Sequence, residues 1–120
     1  MIDQEIELSL VITIVNRGYA ELVVDASREV GAKGGTIIYA RGTGVKDVEK
    51  FMNISIQPEK EVVLTLVRKE EVKNVIHEIL AAAGLKTKAA GISFTLPVTD
   101  FVGISSQIDS EDFKITETDA

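Results

Sequence analysis

Residues 31–44 read GAKGGTIIYARGTG, and the five glycines Gly31, Gly34, Gly35, Gly42 and Gly44 enclose a short β-branched run. Glycine lets a backbone approach a ligand closely and leaves main-chain amides free to meet an anion. The chemistry this suggests is anion binding, centred on Gly42, Thr43 and Gly44. A conformational reading stands beside it, with Gly31 ending a helix and Gly34–Gly35 forming a turn. The Gly-x-Gly lacks both the Walker spacing GxxxxGK[ST] and the full GxGxxG dinucleotide fingerprint, so the pattern alone leaves both readings open.

Other reactive side chains are sparse. His77 is the only histidine and there is no cysteine, which excludes disulfides, thiolate metal sites and a cysteine nucleophile. In VKNVIHEIL the histidine reads as a helix-surface residue without metal or nucleophile partners. Glu70 and Glu71 open a helix, where carboxylates favour the N-terminus. Arg17–Gly18 precedes a helix and is either an anion position or simply the helix start. Lys46–Lys50 (KDVEK) reads as a solvated charged face. No poised acid/base pair stands out, so no enzymatic activity is expected.

The elements that position these residues come in two similar halves. In Glu5–Val15 (EIELSLVITIV), Leu8, Leu10, Ile12 and Ile14 share one strand face while Val11, Thr13 and Val15 share the other. Gly18–Ala32 (GYAELVVDASREVGA) then carries Tyr19, Val23, Ala26 and Val30 at helical spacing, and Gly35–Arg41 returns as a strand. The second half repeats the order, with a strand at Glu61–Val67 and a helix at 69–83 ended by Gly84. Its last strand, Gly91–Val98, contains Pro97, which suggests a sheet edge.

Two β-α-β units in 120 residues predict a ferredoxin-like α+β double βαβ sandwich, with a four-stranded antiparallel sheet and both helices on one face. Strands one and three are apolar on the second face too, which predicts that this face packs against copies of the chain. The segment Thr43–Glu59 is long for an antiparallel connection and reads as an irregular, functional loop.

The charge distribution narrows the partners. Of the net charge of −6, residues 105–120 carry −4, because Asp109, Glu111, Asp112, Glu117 and Asp119 face only Lys114. A body near neutrality with an acidic tail lacks the basic patch that phosphates require, so no nucleic-acid partner is expected. The N-terminal MIDQEIE is acidic where a secretory leader is basic, and no apolar run reaches the ~20 residues of a membrane span. A cytoplasmic protein is expected.

From Ile14 to Gly44 the residues resemble the first half of the PII nitrogen-regulatory signalling proteins. That family shows Gly-x-x-Gly-x-Thr, a strand, then Gly-Phe-Gly at the root of a mobile loop called the T-loop. The matching residues here are Gly31, Gly34, Thr36, Gly42, Thr43 and Gly44. The strand, helix and GISFTLPV strand of the second half are similar too, and the likeness spans residues 6 to 104. The resemblance implies a homotrimer with its sheets turned inward and adenine-nucleotide clefts between subunits. It further implies a loop, residues 43–59, that reports ligand state to a protein partner such as a membrane transporter or metabolic enzyme. The position of Thr36 and the backbone at Gly42–Gly44 approach the nucleotide in that family.

The departures shape the expected effector. Val45 and Lys46 stand where the family has Arg-Gln, whose glutamine helps hold magnesium and 2-oxoglutarate. The loop is shorter than usual and contains no tyrosine to be nucleotidylated. Ala89–Ile92 (AAGI) replaces Gly-Asp-Gly-Lys, and Gly103 and Ser105 fall where two arginines are usual. A triphosphate would lose several charge-assisted bonds of about 1.5–3 kcal/mol each. Lys46, Lys86, Lys88 and Arg41 remain to serve a smaller anion, such as AMP, ADP or bicarbonate, and Gly91 joins them as a site residue. The reading is a PII-like domain over 1–104 with a flexible acidic tail at 105–120. It would bind a small effector, an adenine nucleotide (AMP, ADP or ATP), and hold no metal. The alternative is a structural or metal-responsive trimer resembling the divalent-ion-tolerance proteins.

Overall fold

The computed structural model describes residues 6–43, 49–51, 54–56 and 58–103. Its elements in chain order are β1 (Leu8–Asn16), α1 (Ala20–Glu29), β2 (Thr36–Arg41), β3 (Glu49–Phe51), β4 (Ile54–Ile56), β5 (Glu59–Arg68), α2 (Val72–Ala83) and β6 (Ile92–Val98). A single 3₁₀ turn, Lys69–Glu71, leads into α2. The main sheet has the order β2-β5-β1-β6. All its neighbours pair antiparallel, so each βαβ unit spans one intervening strand and the two units interleave. This is the ferredoxin-like arrangement expected from the two halves. β6 lies at an edge, where Pro97 costs no interior ladder bond.

The segment between β2 and β5 is not irregular throughout. β3 and β4 pair as a small hairpin, with Glu49 opposite Ile56 and Phe51 opposite Ile54. The signal lay in FMNISI, where Phe51, Ile54 and Ile56 have high β-propensity and flank Asn53.

One face of the sheet carries the core. Val11, Val15, Val63 and Val67 pack against Val23 and Val24 of α1 and Val75, Ile79 and Ala83 of α2, all buried. The helix ends are locally specified. Ala32 N–H donates to Ser27 O and Gly31 N–H to Arg28 O, the two bonds of a Schellman motif, with Gly31 at φ +110°. The opposite face is apolar and, among the described residues, uncovered. Ile38, Ile92, Phe94 and Leu96 are each 44–50% exposed on it. Only its end is closed, where Leu8 packs with Ile6, Leu66, Val98 and Phe101.

Candidate functional site

The functional geometry gathers where β1 ends, β2 ends and β5 begins. The ladder sets Arg41 opposite Glu59, Ala40 opposite Lys60 and Tyr39 opposite Glu61. β1 leaves the sheet beside them, so Arg17 N–H donates to the Glu59 carbonyl at 3.2 Å. The Arg17 guanidinium also ion-pairs with the Glu59 carboxylate. The side-chain hydrogen bond within that pair, with the carboxylate's charge, raises the pKa of Arg17 further above its already high value. Around the pair lies an open cleft of about 390 Å³ lined by Arg17, Tyr39, Ala40, Arg41, Glu59 and Lys60.

Asn16 ties this corner to the turn before β6. Its N–H donates to Ala89 O at 2.9 Å and its Nδ2 to Lys88 O at 3.0 Å. Its Oδ1 accepts from Lys60 Nζ at 2.7 Å. The turn itself is organised by Thr87, whose N–H and Oγ1 both donate to Gly84 O and whose own Oγ1 and carbonyl accept from Ala89 and Ala90 N–H. Gly91 N–H donates to Ala83 O. The amides of residues 89–91 are therefore engaged within the fold. An anion approaching this turn meets the exposed side chains of Lys86 and Lys88.

The expected site residues divide accordingly. Gly42 and Thr43 follow β2 at this corner, with Gly42 N–H donating to Pro58 O at 2.8 Å and so closing the neck of the loop. Lys88 shares the corner through Asn16. Thr36 begins β2, about 20 Å away at the ~3.3 Å rise of a strand, and one chain does not bring it to Gly42. Gly91 is buried, and a Cβ there would lie 2.2 Å from Ala83 O and 3.1 Å from Val15 Cγ1, so close packing alone demands glycine. Gly44 and Lys46 lie outside the described residues, as does the tail 105–120.

The helix start after Arg17–Gly18 is already taken. Glu61, buried on β5, accepts from Gly18 N–H at 2.7 Å and from Ala20 N–H at 3.2 Å, so the chain supplies its own anion there. His77 is exposed on α2. Sequence reasoning missed Tyr39, Asn16, Glu59 and Lys60 as residues of this corner; Glu59 and Lys60 reach Arg17 and Asn16 only through pairing across more than forty residues. The signals were Arg17, noted as an anion position, and Arg41, named among the cations left to serve a small anion.

Comparison with protein families matches residues 8–107 to the model described as Nitrogen regulatory protein P-II. Comparison with curated proteins finds no match. Among solved structures, the chain is similar to GlnK of Bacillus subtilis in complex with ATP, at 16% identity and TM-score 0.64, covering 84% of this chain and 90% of that one. It is similar to Arabidopsis thaliana PII bound to citrate, at 24% identity and TM-score 0.63, over 93% and 94% of the two chains. A PII-like signalling protein of Thermus thermophilus shares 19% identity and TM-score 0.61, over 91% and 97%. At these identities the solved structures establish the fold.

Proposed function

Because the chain belongs to the nitrogen regulatory protein P-II family, with 8–107 of its residues matching the family model, we propose that it is a non-enzymatic signalling trimer governed by a small anionic effector. The effector would be an adenine nucleotide held between subunits. Its binding would bias the 43–59 loop, which would dock on a transporter or enzyme according to its state.

The observation that carries this reading is the division of the site. Gly42, Thr43 and the Lys86–Lys88 turn share one corner, while Thr36 lies a strand's length away. A cleft using both needs two copies of the chain. The exposed apolar sheet face supports such an assembly, because nothing among the described residues covers Ile38, Ile92, Phe94 and Leu96. The ATP and citrate of the GlnK and Arabidopsis PII structures support an anionic effector. Among the described residues no helix is long and apolar enough to cross a membrane, which suits a cytoplasmic regulator.

Thermal unfolding against AMP, ADP, ATP and bicarbonate, with and without magnesium, tests the reading. A ligand that prefers the folded state stabilises it by about 2.7 kcal/mol at a hundredfold excess over its dissociation constant. One nucleotide should raise the midpoint, and Thr36→Val and Gly42→Val should each reduce that rise. Unmoved curves across the panel would remove nucleotide sensing.

A further inference from the structure

The end of the sheet opposite the 43–59 loop carries another cleft. β1 begins there and β6 ends there, with Leu8 set opposite Val98 and Ser9 opposite Pro97. The cleft has a volume of about 350 Å³, and Ile6, Leu8, Pro97, Val98 and Phe101 give it an apolar wall. Leu8 is buried, with Ile6, Val98 and Phe101 packed against it. The rim is polar, because Lys69 and Glu7 form an exposed ion pair there at 3.1 Å. None of the residues assigned above to an effector lines this cleft. The described chain runs out of it. Two residues after Phe101 it reaches Gly103, at φ +72°, where nothing lies within 4 Å of an added Cβ. Space does not require glycine there; the left-handed backbone, which redirects the chain, does.

Residues 104–120 follow, and in them Ile104, Ile108, Phe113 and Ile115 are interspersed with acids. We propose that this C-terminal segment docks on the cleft of its own chain, with Phe113 as the anchor against the apolar wall. Reach allows it, because the ten residues from Gly103 to Phe113 span up to about 33 Å when extended, and the cleft starts at Phe101 itself. Charge favours it as well. Asp112 and Lys114 flank Phe113 and bring one charge of each sign to a rim where Lys69 and Glu7 present one of each. Phe113 is the anchor because an aromatic ring carries the largest apolar area in the segment. The nine residues of β1 put the cleft about 26 Å from the corner at Asn16, at the ~3.3 Å rise of a strand. The docking therefore stands whether or not nucleotide sensing does.

The sequence contains no cysteine and no tryptophan, so introduced ones report the contact without background. Ser9 lines the cleft, and Ser110 lies three residues before the anchor. In the full-length Ser9→Cys/Ser110→Cys variant, mild oxidation should form a disulfide within one chain, read as a faster band on a non-reducing gel. Adding Phe113→Ser keeps the loop length and removes the anchor, and should slow closure about tenfold. Phe113→Trp reads the same contact without a covalent link. Its emission should be blue-shifted relative to the denatured chain, and Pro97→Asp, which places a carboxylate on the apolar wall, should abolish the shift. Equal closure rates with and without Phe113→Ser, or a Phe113→Trp emission equal to that of the denatured chain, overturn the proposal. Disulfides that link only different chains also overturn it, and give the cleft to the C-terminal segment of a second copy.

Discussion

Two buried threonines on the helix-covered face show how a hydrogen bond decides the sign of a substitution. Thr13 and Thr65 are both fully buried. Thr13 Oγ1 lies 2.8 Å from Ser93 Oγ, across the β1–β6 ladder. Thr65 Oγ1 has no partner among the described residues. A buried hydroxyl left unpaired costs about 1–3 kcal/mol, whereas a paired one contributes about 1 kcal/mol. Thr65→Val, nearly isosteric, should therefore stabilise the fold by about 1 kcal/mol, while Thr13→Val should cost about as much; denaturant midpoints of the two variants should move in opposite directions. Backbone conformation offers a second test at this scale. Ala90 sits at φ +48°, the one non-glycine residue with positive φ among those described. The left-handed region costs an alanine about 1–2 kcal/mol, and glycine gives back part of that gain as freedom in the unfolded chain. Ala90→Gly should raise stability by about 0.5–1 kcal/mol, and a fall would mean that the methyl group packs better than its conformation costs. The alanine stands in the segment where relatives of the resemblance carry Gly-Asp-Gly-Lys.

At the scale of elements, α1 begins without a side-chain cap of its own, since Tyr19 offers none. Glu61 supplies it from β5, accepting from the free amide of Ala20 in the first turn and from Gly18 N–H just before the helix, while its negative charge faces the positive end of the helix. Glu61→Ala should cost about 2 kcal/mol and Glu61→Gln, which keeps an acceptor, about half as much. Amide exchange at Gly18 and Ala20 should quicken in the alanine variant; unchanged protection there would show that the cap is not what holds the helix start. This contact marks the boundary of what the sequence makes legible. The βαβ repeat, the edge position of β6, the Gly31 helix stop and the two-faced apolar strands follow from periods of 2 and 3.6 and from single punctuating residues. Such signals are local and survive without knowledge of pairing. The capping of α1 by Glu61, the Arg17–Glu59 pair and the Asn16 bridge depend on register between strands more than forty residues apart. Arg17–Gly18 looked open to an external anion because the carboxylate that fills the helix start arrives from β5. Gly91, expected at a ligand, proved to be required by Ala83 O and Val15, a packing demand invisible until α2 and β6 are side by side.

At the scale of the molecule the apolar patterning poses a problem that one chain does not solve. Leu10, Ile12 and Ile14 of β1 and Val62 and Leu64 of β5 form the centre of the open face. Ile38 on one edge strand and Ile92, Phe94 and Leu96 on the other extend it, these four exposed by 44–50%. A soluble monomer rarely carries so continuous an apolar surface, and antiparallel sheets with a solvated face alternate to polar residues there. Burial against further copies relieves it, and such burial ties folding stability to protein concentration. Phe94 is the place to break it, because an aromatic side chain on the face contributes a large contact area and a carboxylate there would be desolvated without a partner. Phe94→Asp should convert the proposed assembly to single chains in light scattering and remove the concentration dependence of the unfolding midpoint that such an assembly predicts. Leu22→Asp is the control, since Leu22 is 41% exposed on α1, away from the sheet's open face, and its charge should leave particle mass unchanged. If Phe94→Asp retained the wild-type particle mass while Leu22→Asp reduced it, the copies would meet through the helix layer. The proposed nucleotide cleft would then have to be drawn within one chain, a result that the span of about 20 Å from Thr36 to Gly42 makes difficult to accommodate on one small ligand.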